Sequence, residues 1–313
     1  MRLPLTTPRR VNSSVSSEAR DDAPTVCAIS LLAAILSNLL HEGLGHAATA
    51  LLTGTKSGLL TTVAWSSEFD TRLVAAGGTL ANFAASIVFW IALRNAKSAS
   101  VRWRFFLLTS FAFNVFEGTG YFLFSGVTNF GDWAQVIAGL HAHWLWRALL
   151  VIDGMASYFG AVLAVGIAIV RYVGVPRSES RRLRRLTLIP YFSTLILVCT
   201  AGLLNPIGIQ LVWQSALPAT AGAKSGLLWL KLHSERNCSQ AATRWHGEKL
   251  RVDHGGISPV AAFCFRVRAW DCSASLDFPR ITPANLRAGW LINALLFFAF
   301  GVGSATIGAR GRS

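Results

Sequence analysis

Within the stretch "NLLHEGLGHAATALLTG", Asn38 to Gly54, the side chains of His41, Glu42 and His46 interrupt an otherwise apolar, helix-like run. Two neutral imidazoles beside a carboxylate can hold a divalent metal ion while the acid takes a proton from its bound water, which is the chemistry of metal-assisted hydrolysis. Ionisable groups near the centre of a membrane segment cost at least about 2.5 kcal/mol each, so all three need protein or water around them. Their spacing sets a condition. Metal-binding helices usually carry histidines at i and i+4, about 40° apart, whereas His41 and His46 stand at i and i+5, about 140° apart on a regular helix. A one-residue π-bulge at Gly43 to Gly45 would return both rings to one face. Glycine costs about 1 kcal/mol relative to alanine inside a helix, so two so close together suggest distortion or close packing. The competing reading is helix packing through small residues, with structural histidines.

Such a helix needs a membrane-embedded frame. The 313 residues are 52% hydrophobic and only 14% charged, with mean hydropathy +0.45, too apolar for an ordinary soluble domain. Runs of about 20 apolar residues, the length that crosses a hydrocarbon core, lie near 25–53, 71–94, 104–127, 145–173, 187–213 and 289–309. The expected fold is an all-α polytopic membrane protein of about six transmembrane helices with a small extracytoplasmic β-containing insertion. Residues 1–24 read as a cytoplasmic tail without a cleavable signal peptide, 25–230 as the membrane-embedded core with the metal site, 231–286 as the extracytoplasmic domain, and 287–313 as a final span and cytoplasmic tail. The insertion is polar and turn-rich, with alternating stretches such as "FCFRVRAW".

Charge orients the chain. Arg9, Arg10 and Arg20 precede the first span, Arg94, Lys97, Arg102 and Arg104 join the second and third, and "RSESRRLRRL" from Arg177 joins the fourth and fifth. The positive-inside rule places these loops and both termini in the cytoplasm, as expected for an integral, multi-pass protein of the bacterial inner (plasma) membrane. The net charge of +14 clusters beside apolar spans, which favours topology and contact with anionic lipid of the bilayer, not nucleic acid. No internal repeat, phosphate-cradling glycine loop or paired axial-ligand pattern occurs.

Several other residues invite a role. Glu117 lies in the apolar run "FFLLTSFAFNVFEGTGYFLF", where an acid is a functional candidate, or else a protonated or hydrogen-bonded structural group. His141 and His143 would diverge by about 160° on a helix and fit an interfacial position near Trp144 and Trp146 better than joint chelation. Asp153 in "VIDGMA" leaves open a break between helices. Cys27 and Cys199 read as small buried side chains. Cys238, Cys264 and Cys272 permit one disulfide in an oxidising compartment, most simply Cys264 with Cys272, and none in a reducing one. Asn237 begins an "NCS" glycosylation acceptor pattern, and His233, His246 and His254 read as surface residues.

"HEGLGHAATALLTG" resembles the active-site helix of the membrane-embedded zinc metallopeptidases of the site-2 protease class, with an extra residue in the usual HExxH. "VAAGGTLANFAAS" from Val74 is similar to that family's following helix, where a glycine-led turn precedes an asparagine, here Asn82; the usual proline is missing. "FNVFEGTGYFLFSGVTNFGDW" offers Asn114 and Asp132 where the family has an asparagine-bearing segment and then an aspartate, without the family's proline and DG dipeptide. The likeness covers roughly residues 25 to 135. It implies one zinc ion held by His41, His46 and Asp132, with Glu117 as the alternative third ligand and Glu42 as the general base. Asn82 and Asn114 would position the substrate, unless they only join helices by hydrogen bonds. Asp132 also suits a helix N-terminus, where a carboxylate is favourable for capping alone. The implied substrate is a membrane protein or peptide segment cut in or near the bilayer. The alternatives are a non-catalytic descendant serving as scaffold or regulator, and a transporter using intramembrane polar groups. The three elements face one side under either orientation, because spans one and three end where span two begins. The sequence sets no oligomeric state.

Overall fold

Short polar side chains begin the helices that carry the site. Asp22 accepts a hydrogen bond from the Thr25 amide at 3.1 Å with Pro24 in the first turn, Thr71 accepts from Val74 at 3.2 Å, and Ser100 accepts from Trp103 at 3.3 Å. Each satisfies an amide that has no partner within its own helix. The computed structural model describes residues 22–55, 58–61, 63–67, 71–173 and 180–230. Helix α1 runs Ala23–Leu52 and is π-helical over Leu39–Ala47. Strands β1, Gly58–Leu60, and β2, Trp65–Ser67, pair antiparallel with Leu59 opposite Ser66. Then follow α2 (Arg72–Asn95), α3 (Val101–Thr128), the short α4 (Asp132–Val136), α5 (His143–Val173, π-helical in its last turn) and α6 (Ser180–Leu203). Helix α7, Gly208–Leu211, continues into π-helical turns at Val212–Ala216 and Pro218–Gly222 and a tight turn at Ala223–Ser225.

Four helices are long and apolar enough to cross a membrane: α1, α2, α5 and Arg181–Leu203 within α6. Their outer faces expose Leu32, Leu51, Leu80, Ile152 and Ile196, as a chain solvated by hydrocarbon would. Helix α3 packs against α1, α2 and α5 and buries Phe113 and Phe116 completely. Its polar residues turn back on the helix: Thr109, Asn114 and Thr119 donate to the carbonyls of Phe105, Ser110 and Val115. Inward polar groups of this kind must find partners inside the protein, since lipid offers none.

Three details differ from the sequence reading. Residues 187–213 do not form one span, because α6 stops at Leu203 just before Asn205-Pro206, and proline disfavours helical backbone in the residue ahead of it. Asp153 marks no break; it lies exposed on the continuous α5. Among the described residues, β pairing occurs only in the short hairpin between α1 and α2, which was not anticipated. The tail 1–21, the 231–286 insertion, the span at 289–309, the three cysteines and Asn237 lie outside the described residues.

Candidate metal centre

The amide of Ala48 bonds to the carbonyl of Gly43, five residues back, and this wider turn brings residues five apart onto one face. His41 and His46 consequently meet edge to face, with ring centroids 4.9 Å apart and their Nε2 atoms at 3.3 Å. The π form extends over nine residues, Leu39–Ala47, more than the one-residue bulge the spacing requires. Packing through small residues occurs as well. A Cβ on Gly45 would stand 2.5 Å from Gly78 Cα, so α1 and α2 touch backbone to backbone. Gly77 and Gly78 lie inside α2, where the resemblance implied a turn.

Asp132 arrives from the other side. Helix α3 ends at Asn129 with φ 56°, and Gly131 at φ 84° turns the chain into α4, a conformation that glycine adopts without strain. The Trp133 indole donates to Thr79 Oγ1 at 3.0 Å and Arg72 donates to the Ala138 carbonyl at 2.8 Å, tying this segment to α2. Asp132 Oδ2 then lies 3.3 Å from His41 Nε2 and 3.4 Å from His46 Nε2. It is buried and accepts no hydrogen bond. Gly131, not Asp132, occupies the N-cap position of α4, and no side chain caps that helix.

The surrounding hydrogen bonds fix which ring atoms carry protons. The Ser110 carbonyl can only accept, so the Asn114 amide nitrogen faces it at 2.8 Å. Asn114 Oδ1 is then left to accept from Asn82 Nδ2 at 2.9 Å, which turns Asn82 Oδ1 toward His41 Nδ1 at 2.5 Å. His41 Nδ1 is therefore the donor. His46 Nδ1 donates to the Val74 carbonyl at 2.7 Å. In the neutral rings both Nε2 atoms present lone pairs, and a carboxylate oxygen completes the triangle. Three such atoms repel one another unless a metal ion or a proton lies among them. Donors about 2.0–2.1 Å from a tetrahedral metal ion stand about 3.3–3.4 Å apart, and the observed sides are 3.3, 3.3 and 3.4 Å. His41, His46 and Asp132 could hold a metal ion.

Asn82 and Asn114 join α2 to α3 beside this centre. Both are fully buried and neither is among the residues lining the adjoining cavity. Their side-chain polar atoms named above are engaged with protein, and Asn82 holds the His41 ring through Nδ1. Glu117 lies outside the group of His41, His46 and Asp132: its Oε2 accepts from Ser37 at 3.0 Å and pairs with Lys224 Nζ at 3.1 Å, as a hydrogen-bonded structural acid would.

The centre opens onto a cavity of about 680 Å³ lined by His41, Glu42, His46 and Asp132, aromatic groups from Trp65, Tyr121, Phe124 and Phe130, and Leu211, Gln214, Ser215 and Pro218 from α7 and the turns after it. Glu42 is 7% exposed and accepts no hydrogen bond among the described residues. His143 also lines the cavity but bonds to Asn129 at 2.8 Å, and His141 is exposed; neither joins the metal group. Three residues that the sequence reading passed over matter here. Tyr121 stacks on His41 with centroids 4.8 Å apart, Gly78 lies against both imidazoles, and Lys224 balances Glu117. Lys224 had a visible signal, being the one cation in the run "QSALPATAGAKSGLLWL".

No protein-family model, curated protein or solved structure matches the chain.

Proposed function

We propose that the protein is a membrane-embedded, zinc-dependent peptidase that hydrolyses a peptide bond in or near the bilayer. The supporting observation is the buried triangle of His41 Nε2, His46 Nε2 and Asp132 Oδ2 on a cavity wall that also carries Glu42. Two imidazoles and one carboxylate, with a fourth position open, form the donor set of hydrolytic zinc sites. The same donor types occur in ferrous oxygenases, but adjacent donors of an octahedral ion stand about 3.0 Å apart, closer than the separations of 3.3–3.4 Å here. Bound zinc would supply Lewis acidity toward a carbonyl and toward water.

The chain's own groups supply the rest. Asn82 and the Val74 carbonyl hold the two imidazoles with their Nε2 lone pairs inward. Glu42, with no competing hydrogen bond, accepts a proton from water in the cavity and returns it to the leaving nitrogen. Trp65, Tyr121, Phe124, Phe130, Leu211 and Pro218 give the cavity an apolar wall suited to a transmembrane or membrane-adjacent segment of a protein substrate. Glu42→Gln tests this assignment. It is expected to keep the metal and to lose cleavage by roughly 10²- to 10⁴-fold, measured by metal analysis and by hydrolysis of quenched fluorogenic peptides in vesicles. Cleavage at the wild-type rate would remove Glu42 as the base, and wild-type protein that holds zinc but cleaves nothing would favour the scaffold reading.

A further inference from the structure

Peptide hydrolysis builds negative charge on the carbonyl oxygen, and a donor already aimed at that oxygen is often the largest single contribution to rate. Asn82 and Asn114 are fully buried and do not line the cavity, being bonded to His41, to Ser110 and to each other, so neither is placed for this task. Several other polar groups on the cavity wall are bonded elsewhere or exposed, and Gln214 accepts from Gln210 at 3.4 Å. Ser215 Oγ donates to the Val63 carbonyl at 3.0 Å, His143 and Asn129 bond each other, and Gln135 is exposed.

Tyr121 differs from all of these. It projects from α3 into the cavity, and its ring lies nearly parallel to that of His41, with an interplanar angle of 19°. Glu42 and Asp132 line the same cavity as Tyr121. The Tyr121 hydroxyl makes no hydrogen bond among the described residues. A phenol held against the His41 ring, on the wall of the cavity that Glu42 also lines and with its proton uncommitted, can donate to a substrate oxygen brought into that cavity.

Resting on the peptidase reading, we infer that Tyr121 is a catalytic residue whose hydroxyl donates a hydrogen bond to the scissile carbonyl oxygen. As the water oxygen bonds to the carbonyl carbon, Glu42 takes the water proton and the π electrons of C=O move onto the oxygen, which Tyr121 stabilises. When the C–N bond breaks, those electrons re-form the carbonyl and the proton on Glu42 passes to nitrogen, giving a carboxylic acid and an amine. The Tyr121 proton is shared throughout and is not consumed.

The test compares wild type, Tyr121→Phe and Glu42→Gln as full-length proteins in phosphatidylcholine vesicles, using a library of quenched fluorogenic peptides with apolar side chains. Tyr121→Phe keeps the ring on His41, so zinc content and KM are expected to stay at wild-type values while kcat falls roughly 10²- to 10³-fold. A second readout needs no turnover. A phosphinic peptide, which carries a tetrahedral anion where the substrate has a carbonyl, should lose affinity for Tyr121→Phe by a similar factor, while the parent peptide binds Glu42→Gln and the Tyr121→Phe, Glu42→Gln double variant equally. Unchanged kcat and unchanged phosphinic-peptide affinity in Tyr121→Phe, with Glu42→Gln inactive, overturn the inference alone. A wild type that holds no zinc or cleaves no peptide overturns the peptidase reading and this inference with it.

Discussion

Gly78→Ala is expected to abolish metal binding while leaving all three ligands in place. A Cβ at this position would stand 2.5 Å from His46 Nε2 and 2.6 Å from both Cε1 and Nε2 of His41, filling the space in front of the donor atoms. The rings have little freedom to retreat. His41 is bonded to Asn82 and His46 to Val74 through their Nδ1 atoms, and one face of His41 is covered by Tyr121. Moving either ring enough to admit a methyl group breaks one of these contacts and the triangle with it. The helix itself tolerates the change, since alanine is favoured over glycine in a helix interior by about 1 kcal/mol. The variant should therefore reach the membrane folded and without metal, as read by metal per chain alongside circular dichroism. Retention of a full complement of metal would show that the ion, if bound, lies elsewhere.

Lys224→Met is expected to be the most damaging single change to stability remote from the metal ligands. Lys224 is 1% exposed and Glu117 is 2% exposed. The ammonium donates to the Ala219 carbonyl at 2.8 Å as well as pairing with Glu117, and it lies 5.5 Å from the centre of the Phe113 ring. Removing one partner of such a buried pair leaves an uncompensated charge and costs about 3–5 kcal/mol. The pair also joins α3 to the turns after α7, whose neighbours Gln214, Ser215 and Pro218 line the cavity. Adding Glu117→Gln should restore much of the stability, because no unpaired charge then remains. Denaturant unfolding in detergent micelles checks both variants, and a single variant as stable as wild type would contradict the assignment of this pair.

The parts of this molecule legible in its sequence are those written in local pattern. Long apolar runs announce the helices, and the mismatch between an i, i+5 histidine pair and an α-helix announces a wider turn at Gly43 to Gly45. The wider turn spreads over Leu39–Ala47 because its hydrogen bonds shift register together, which a one-residue insertion argument understates. Interactions across long sequence separations were harder to read. Glu117 looked like a ligand candidate because its partner Lys224 is 107 positions away. For Asn82 and Asn114 the sequence leaves substrate positioning and helix joining both open, because nothing local shows that Ser110 holds one amide and thereby orients both. Gly78 carries no side chain to suggest chemistry, yet its missing Cβ leaves room for the imidazoles. The hairpin at 58–67 has only three residues per strand, too few to set up an alternating pattern.

The central claim is that His41, His46 and Asp132 together bind one metal ion. X-ray absorption on the purified full-length protein, with metal per chain measured on the same sample, addresses it directly. The expected result is about one zinc per chain in a shell of nitrogen and oxygen donors at about 2.0–2.1 Å, with the outer scattering of two imidazoles, all lost in His46→Ala. A wild type without stoichiometric metal, or metal that persists unchanged in His46→Ala, would contradict it.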